Sequence, residues 1–425
     1  MKSLKIMAAS LLAVASFASA FADVNIKVTG STAFRKAFYF AAVNSINSPK
    51  IACIGGKTDA SDMSGANRAV ITGTGKVGTA YAGQNVTIQC GFAGSIGGLT
   101  ALVTPLNTIP LSGFTDAAHT WMSASNAAAS GASVANSGTG KITGYVNFTS
   151  ESGVAFDGAA FPTVSMSDSF ITSTPVVGSL TPSEDNPAHG VGIVAFDWNK
   201  GQNSSAAPAG YARLTNVTTL QANLLLAAGE LPLSFFTGNS GDTGVDVLFV
   251  GRNNDSGTRL DTEAEADYGY GFSSENQYQP VIAGGVITGV TNVGDAGYSS
   301  GSSVAAALAT VQGAGAVDDA GNPFIFVSYL GKGDSATVKA ANANSILSFN
   351  GVKYDQADDM IRYGAYSGWS YEHCLYTATD SPTVKNKSLI SDIVTRLTST
   401  DAVQGGVLNG TMQVSRFIEG GVISP

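Results

Sequence analysis

Three times the chain runs a strand-like segment into a turn of glycine and hydroxyl residues and then into a helical stretch. That recurring unit most narrows the folds open to it. Val24 to Thr29 alternates apolar and polar side chains, meets Gly30-Ser31-Thr32 and continues as a helix over 33–43. Asn85 to Cys90 alternates, turns through 91–95 and continues as helix over 96–103. Val245 to Val250 passes through 251–257 into a helix over 258–266. Repeated strand, turn and helix predicts an α/β architecture in preference to a sandwich. Ser123 to Gly140 is dense in Ala, Ser and Gly and reads as a surface insertion or linker. Gly284 to Gly315 reads the same way, apart from a short helix over 303–311.

The first 22 residues carry a different pattern: a short basic start with Lys2 and Lys5, an apolar run from Ile6 to Phe17, and small residues at Ala18-Ser19-Ala20 and Ala20-Phe21-Ala22. This is the pattern of a secretory signal peptide, with a run too short to span a bilayer. Cleavage after Ala22 removes two lysines and no acid, so the formal charge falls from -9 to -11. The mature chain is expected to be periplasmic or extracellular, with no membrane span. An acidic chain with 12% charged residues also lacks the basic footprint of a general nucleic-acid binder. Export permits a disulfide, and Cys53 with Cys90 is the local choice, leaving Cys374 odd. His119, His189 and His373 are widely separated and form no metal-ligand spacing, so neither metal nor cofactor is expected.

Each glycine turn precedes a helix, whose first backbone N–H groups lack partners and carry partial positive charge. Gly30-Ser31-Thr32, Gly94-Ser95-Ile96-Gly97-Gly98 and Ser256-Gly257-Thr258 could each admit a small anion, and each hydroxyl could equally be an ordinary N-cap. The third turn adds Arg252, whose guanidinium can grip a tetrahedral oxyanion; its alternative is an ion pair with Asp255 or Asp261. Asp168, between Ser167 and Ser169, brings a carboxylate. An ionised carboxylate only accepts hydrogen bonds, so it can take the proton of hydrogen phosphate and repels sulfate, or it can cap a loop.

In this order the segments resemble the periplasmic phosphate-binding proteins of ATP-driven phosphate import, over most of the mature chain. The resemblance implies a two-lobe α/β fold of type II, with the ligand in the interlobe cleft. On these residues it implies phosphate contacts from Thr32, Ala33 and Phe34 in Gly-Ser-Thr-Ala-Phe, and from Ser95, Asp168, Arg252, Ser256, Gly257 and Thr258. The Arg-x-x-x-Ser-Gly-Thr spacing is the most specific match. It implies lobe I over 23–195 and 331–425, with a long insertion at about 104–160, and lobe II over 196–330. Gly192 to Asp197 resembles the first interdomain crossing and Ser370 to Tyr376 the late tyrosine-bearing strand. The implied function is non-catalytic: a monomer capturing inorganic phosphate for an ABC permease. The alternative is an extracellular surface or assembly protein using the same fold without transport.

Overall fold

A computed structural model describes residues 23–55, 62–63, 65–103, 120–128, 130, 136–137, 140–176, 180–182, 190–201, 208–269, 273–377 and 383–425. Residues 1–22, where a signal peptide is expected, and His119 and His189 lie outside the described residues. The elements that build the first unit are β1 (Val24–Gly30), α1 (Arg35–Ser45), β2 (Ile46–Ile54), β3 (Arg68–Gly75), β4 (Asn85–Gly91), α2 (Ser95–Val103), β5 (Val146–Phe148) and β6 (Val164–Ser167). A long strand, β7 (Gly192–Lys200), leads into β8 (Glu230–Pro232), β9 (Asp246–Phe249), α3 (Gly257–Glu265), α4 (Gly301–Ala309), β10 (Phe324–Gly331) and α5 (Lys332–Ala341). The chain then returns through β11 (Trp369–Thr377) to α6 (Val384–Ser399).

One sheet runs through both units in the order β8-β9-β10-β7-β11-β6-β1-β4-β3-β2-β5. β1 pairs in parallel with both β4 and β6, and β9 with β10, so in each unit the carboxyl ends of these strands share an edge. The two edges face each other because β7 is shared: its first half pairs with β11 and its second half with β10. Register puts Gly331, the end of β10, opposite Phe196, and Ser167, the end of β6, opposite His373. Turns that follow parallel strands therefore meet at the middle of the crossing strand, where α/β sheets present ligand crevices.

Apolar patterning explains how the units close. Val24, Ile26 and Val28 of β1, with Phe38 of α1 and Leu389 and Ile393 of α6, belong to one core. A second core joins Trp198 of β7 to Tyr329 of β10 and Val247 of β9, and a third, on the other sheet face, joins Leu248, Phe326 and Leu308. Leu347, Phe349 and Tyr354 pack with Trp198 in the second core, beyond residue 331 where the sequence division returns the chain to lobe I.

Three sequence expectations change. The 123–140 stretch is not a bare linker: Met122 and Ala127, from a short helix over Ala124–Ala128 and the strand before it, pack on Ala52 and Val70. The 284–315 stretch contains a strand, Val286–Gly294, paired with Gln277–Ala283, and then α4. The Cys53–Cys90 bridge is absent, and all three cysteines are buried thiols. Cys53 pairs across to Ala69 and Ala69 to Cys90, so a whole strand separates them. Two strand spacings of about 4.8 Å exceed the roughly 7 Å limit on a disulfide's Cα separation. Burial also pushes the Cys90 thiol well above its ordinary range. Native protein treated with iodoacetamide should keep all three thiols unmodified by mass spectrometry, with full modification after denaturation.

Candidate functional site

The loop after β1 begins at Gly30, whose φ is +105° and whose Cβ, were there one, would lie 1.9 Å from the Met166 carbonyl oxygen. Only glycine lets the loop cross β6 there, and the Ser31 amide then donates to that carbonyl at 2.8 Å. Thr32 and Ala33 line the mouth of a cleft between the units. Phe34 is different: its ring is in the first core and its amide donates to Ser31 Oγ at 3.4 Å.

The carboxylate of Asp168, 1% exposed, is where the two units touch. Ser95, at the start of α2 in the first unit, donates its hydroxyl to Asp168 Oδ1, and the Asp168 amide donates back to Ser95 Oγ at 3.2 Å. From the second unit, Thr258 donates its hydroxyl to Asp168 Oδ2 at 2.9 Å. A Cβ on Gly257 would sit 1.8 Å from Asp168 Oδ1, so the helix start of α3 reaches the acid only as glycine. Burial raises the Asp168 carboxyl above its ordinary value, opposed by the two hydroxyls and by the charge of Arg252. Ser256 is an N-cap: its Oγ accepts the Arg259 amide at 3.2 Å. One helix turn on, Asp261 Oδ1 accepts Ser169 Oγ at 3.2 Å and Oδ2 accepts Ser370 Oγ at 2.7 Å, a second clasp between the units.

The α2 turn offers less than its sequence suggests. The amides of Ile96 and Gly97 donate to the Asp255 carbonyl at 3.0 and 3.3 Å. A backbone oxygen of the opposite unit thus occupies the anion-binding end of this helix, and only the Ser95 hydroxyl faces the site.

Arg252 is 3% exposed. It pairs with neither Asp255 nor Asp261: Nε donates to the Tyr298 carbonyl at 3.1 Å and Nη2 to that of Ser299 at 3.0 Å. These bonds fix the plane of the guanidinium. A Cβ on Gly301, at the start of α4, would meet Asp334 Oδ2 at 2.3 Å and Arg252 Nη1 at 3.7 Å, so both groups lie on that side of the glycine. Across the cleft stands Arg35, the first residue of α1, with Nη1 donating to the Thr32 carbonyl and Nη2 at 3.7 Å from Asp334 Oδ1. Burial raises the Asp334 carboxyl, opposed by Arg35 first and then Arg252. Asp334 is thus ion-paired with Arg35 and feels the charge of Arg252 from the other unit, beside a cavity of about 600 Å³ lined by Thr32, Ala33, Arg35, Lys36, Lys332 and Asp334.

Of the nine residues expected at the site, Ser95, Asp168, Gly257 and Thr258 are in direct contact and Arg252 is within electrostatic reach. Thr32 and Ala33 are on the neighbouring cleft wall, while Phe34 and Ser256 serve the core and the helix cap. Sequence reasoning missed Arg35, Asp334 and Arg259. Arg35 had a readable signal: a cation in the first turn of a helix opposes the macrodipole and needs another reason to be there. Arg259 anchors Arg252 by donating Nη1 to its backbone carbonyl at 3.1 Å.

No protein-family model and no curated protein matches the chain. Among solved structures, it is similar to a candidate phosphate ABC transporter substrate-binding protein with bound phosphate from Clostridium perfringens, at 10% identity and TM-score 0.42, covering 90% of this chain and 99% of that one. It is also similar to an ABC-type phosphate transport receptor from Vibrio cholerae, at 12% identity and TM-score 0.37, covering 87% and 93%. A possible phosphate binding protein from Planctomyces limnophilus is similar at 12% identity and TM-score 0.36, covering 92% and 96%.

Proposed function

We propose that this chain is an exported, non-catalytic binding protein that captures inorganic phosphate between its two α/β units and delivers it to an ABC permease. The observation that carries the reading is Asp168 receiving hydroxyl donors from both units, beside a buried arginine whose orientation is fixed by backbone carbonyls. Closure would strip water from the anion and replace it with Arg252, Arg35 and the hydroxyls of Thr32, Ser95 and Thr258. The two hydroxyls now donating to Asp168 would turn toward the ligand, freeing the carboxylate to accept its proton. Donors set the affinity, and Asp168 sets the choice of hydrogen phosphate over sulfate. No helix among the described residues is long and apolar enough to cross a membrane, and the chain's route out of the cell rests on its first 22 residues.

Titration calorimetry tests this directly. Phosphate should bind and sulfate should bind far more weakly; equal affinities would remove the role given to Asp168. Arg252→Ala should weaken phosphate binding by about 2 kcal/mol, the scale of a hydrogen bond to a charged group. Unchanged affinity would exclude Arg252 as a ligand residue.

A further inference from the structure

The amino ends of β9 and β10 lie at the opposite end of these strands from Arg252, and there three acids gather. Glu230, Asp246 and Asp318 each bring a carboxylate oxygen within 4.8 Å of the other two. Asp246 and Asp318 are each 6% exposed. The charges that act on Asp246 come from Glu230 and Asp318, with no cation among them. Asp319 adds further negative charge close to Tyr278, which itself donates to Glu230 Oε2 at 2.8 Å. Asn322 donates its side-chain amide to Asp246 Oδ2 at 2.9 Å.

Asp318 supplies the second observation. Its Oδ1 is held by the loop, accepting the amides of Ala320 and Asn322 at 2.9 and 2.8 Å. Its Oδ2 is buried and receives no hydrogen bond, so it is the oxygen Asp318 has left to offer the cluster. Gathering three carboxylates without a counter-charge, one buried oxygen among them lacking any donor, is costly. A hard divalent cation removes that cost: it takes oxygen ligands only, and with Ca²⁺–O distances of about 2.3–2.6 Å two ligands on one ion lie at most about 5 Å apart. The spacing of the three carboxylates falls within that span.

We propose that Glu230, Asp246 and Asp318 form a binding site for a hard divalent cation of the calcium type, tying β8, β9 and the 318–322 loop together at the far end of the second unit. The ion would complete its shell with water, because the protein offers three carboxylates and calcium takes six to eight oxygens. The site is independent of the phosphate reading. Its rival is a proton shared between Asp246 and Asp318, since burial pushes the Asp246 carboxyl up to about 6.

The test uses the full mature chain, stripped with a chelator and titrated with calcium chloride by calorimetry near neutral pH. One equivalent should bind, and Tm should rise with calcium. Asp318→Asn should weaken uptake at least tenfold. Glu230→Gln, at a half-buried position on a short edge strand, should weaken it too and decides the matter if the first variant fails to fold. Phosphate titrations of Glu230→Gln in calcium-free buffer should match the parent. Absence of calcium uptake, with Tm rising as pH falls through about 6, would overturn the proposal in favour of the shared proton. Equal calcium affinity in the parent and the variants would overturn it by placing the ion elsewhere.

Discussion

Replacing Arg259 by methionine should destabilise the protein by about 3–5 kcal/mol, the usual consequence of removing one partner from a buried ionic cluster. Arg259 is 1% exposed and ties three acids together: Glu263 at 2.9 Å, Glu275 at 3.5 Å and Asp295 at 2.6 Å. Glu263 and Glu275 are themselves buried. Burial already pushes the Glu275 carboxyl well above the usual range, with the charge of Arg259 opposing it. Without the guanidinium, that carboxyl rises further. An acid whose folded-state pKa is raised binds its proton more tightly folded than unfolded, so stability falls as pH rises through the folded value. The deficit of the variant should therefore be largest at neutral pH and shrink on acidification. Urea unfolding of parent and variant at two pH values measures this, and a deficit below about 1 kcal/mol, or one independent of pH, would refute the assignment. Phosphate affinity should fall as well, because the Arg252 carbonyl loses the Arg259 donor and keeps only the Gln277 side chain at 3.0 Å.

Gly257→Ala should separate binding from stability. The glycine's backbone is not left-handed, and alanine is the better helix former, so local conformation predicts a small gain. Tertiary contact predicts the reverse. The added methyl would lie 1.8 Å from Asp168 Oδ1, 2.7 Å from Ser169 Oγ and 2.8 Å from Ser95 Cβ. Those atoms belong to the opposite unit, so relief comes by opening the interface. Phosphate affinity should drop by about 3 kcal/mol, the upper end for overpacking, because the Asp168 carboxylate is pinned by the Ser95 and Thr258 hydroxyls and Ser95 Cβ is fixed to its own backbone. Tm should change little, since the apolar cores lie elsewhere. Calorimetry with small-angle scattering checks both effects: the variant should stay expanded when phosphate is added. Affinity within twofold of the parent would show that α3 does not approach Asp168 this closely.

Much of the fold was legible because its signals are local. The alternation over 24–29 became β1 over Val24–Gly30, and the helices expected at 96–103 and 258–266 formed over Ser95–Val103 and Gly257–Glu265. Where the sequence reading failed, the deciding facts were distant in the chain. Cys53 and Cys90 are near in sequence, yet β3 runs between their strands. The residues after Ser123 look like a linker because their composition is small and polar, but Asn126, Ala127 and Ser130 are buried.

The candidate site divides the same way. Sequence alone determined the strand-turn-helix units, the glycines that let loops pass close to strands, the presence of Ser95, Arg252 and Thr258 in the turns of such units, and Asp168 between two serines. Periodicity and turn chemistry depend on neighbours along the chain, so one dimension suffices to read them. Tertiary structure alone decided that Ser256 is a cap, that the Asp255 carbonyl occupies the start of α2, and that Arg35 faces Arg252 across Asp334. Each depends on which groups from remote segments reach a polar atom first, and β7, shared by both halves of the sheet, makes those segments neighbours.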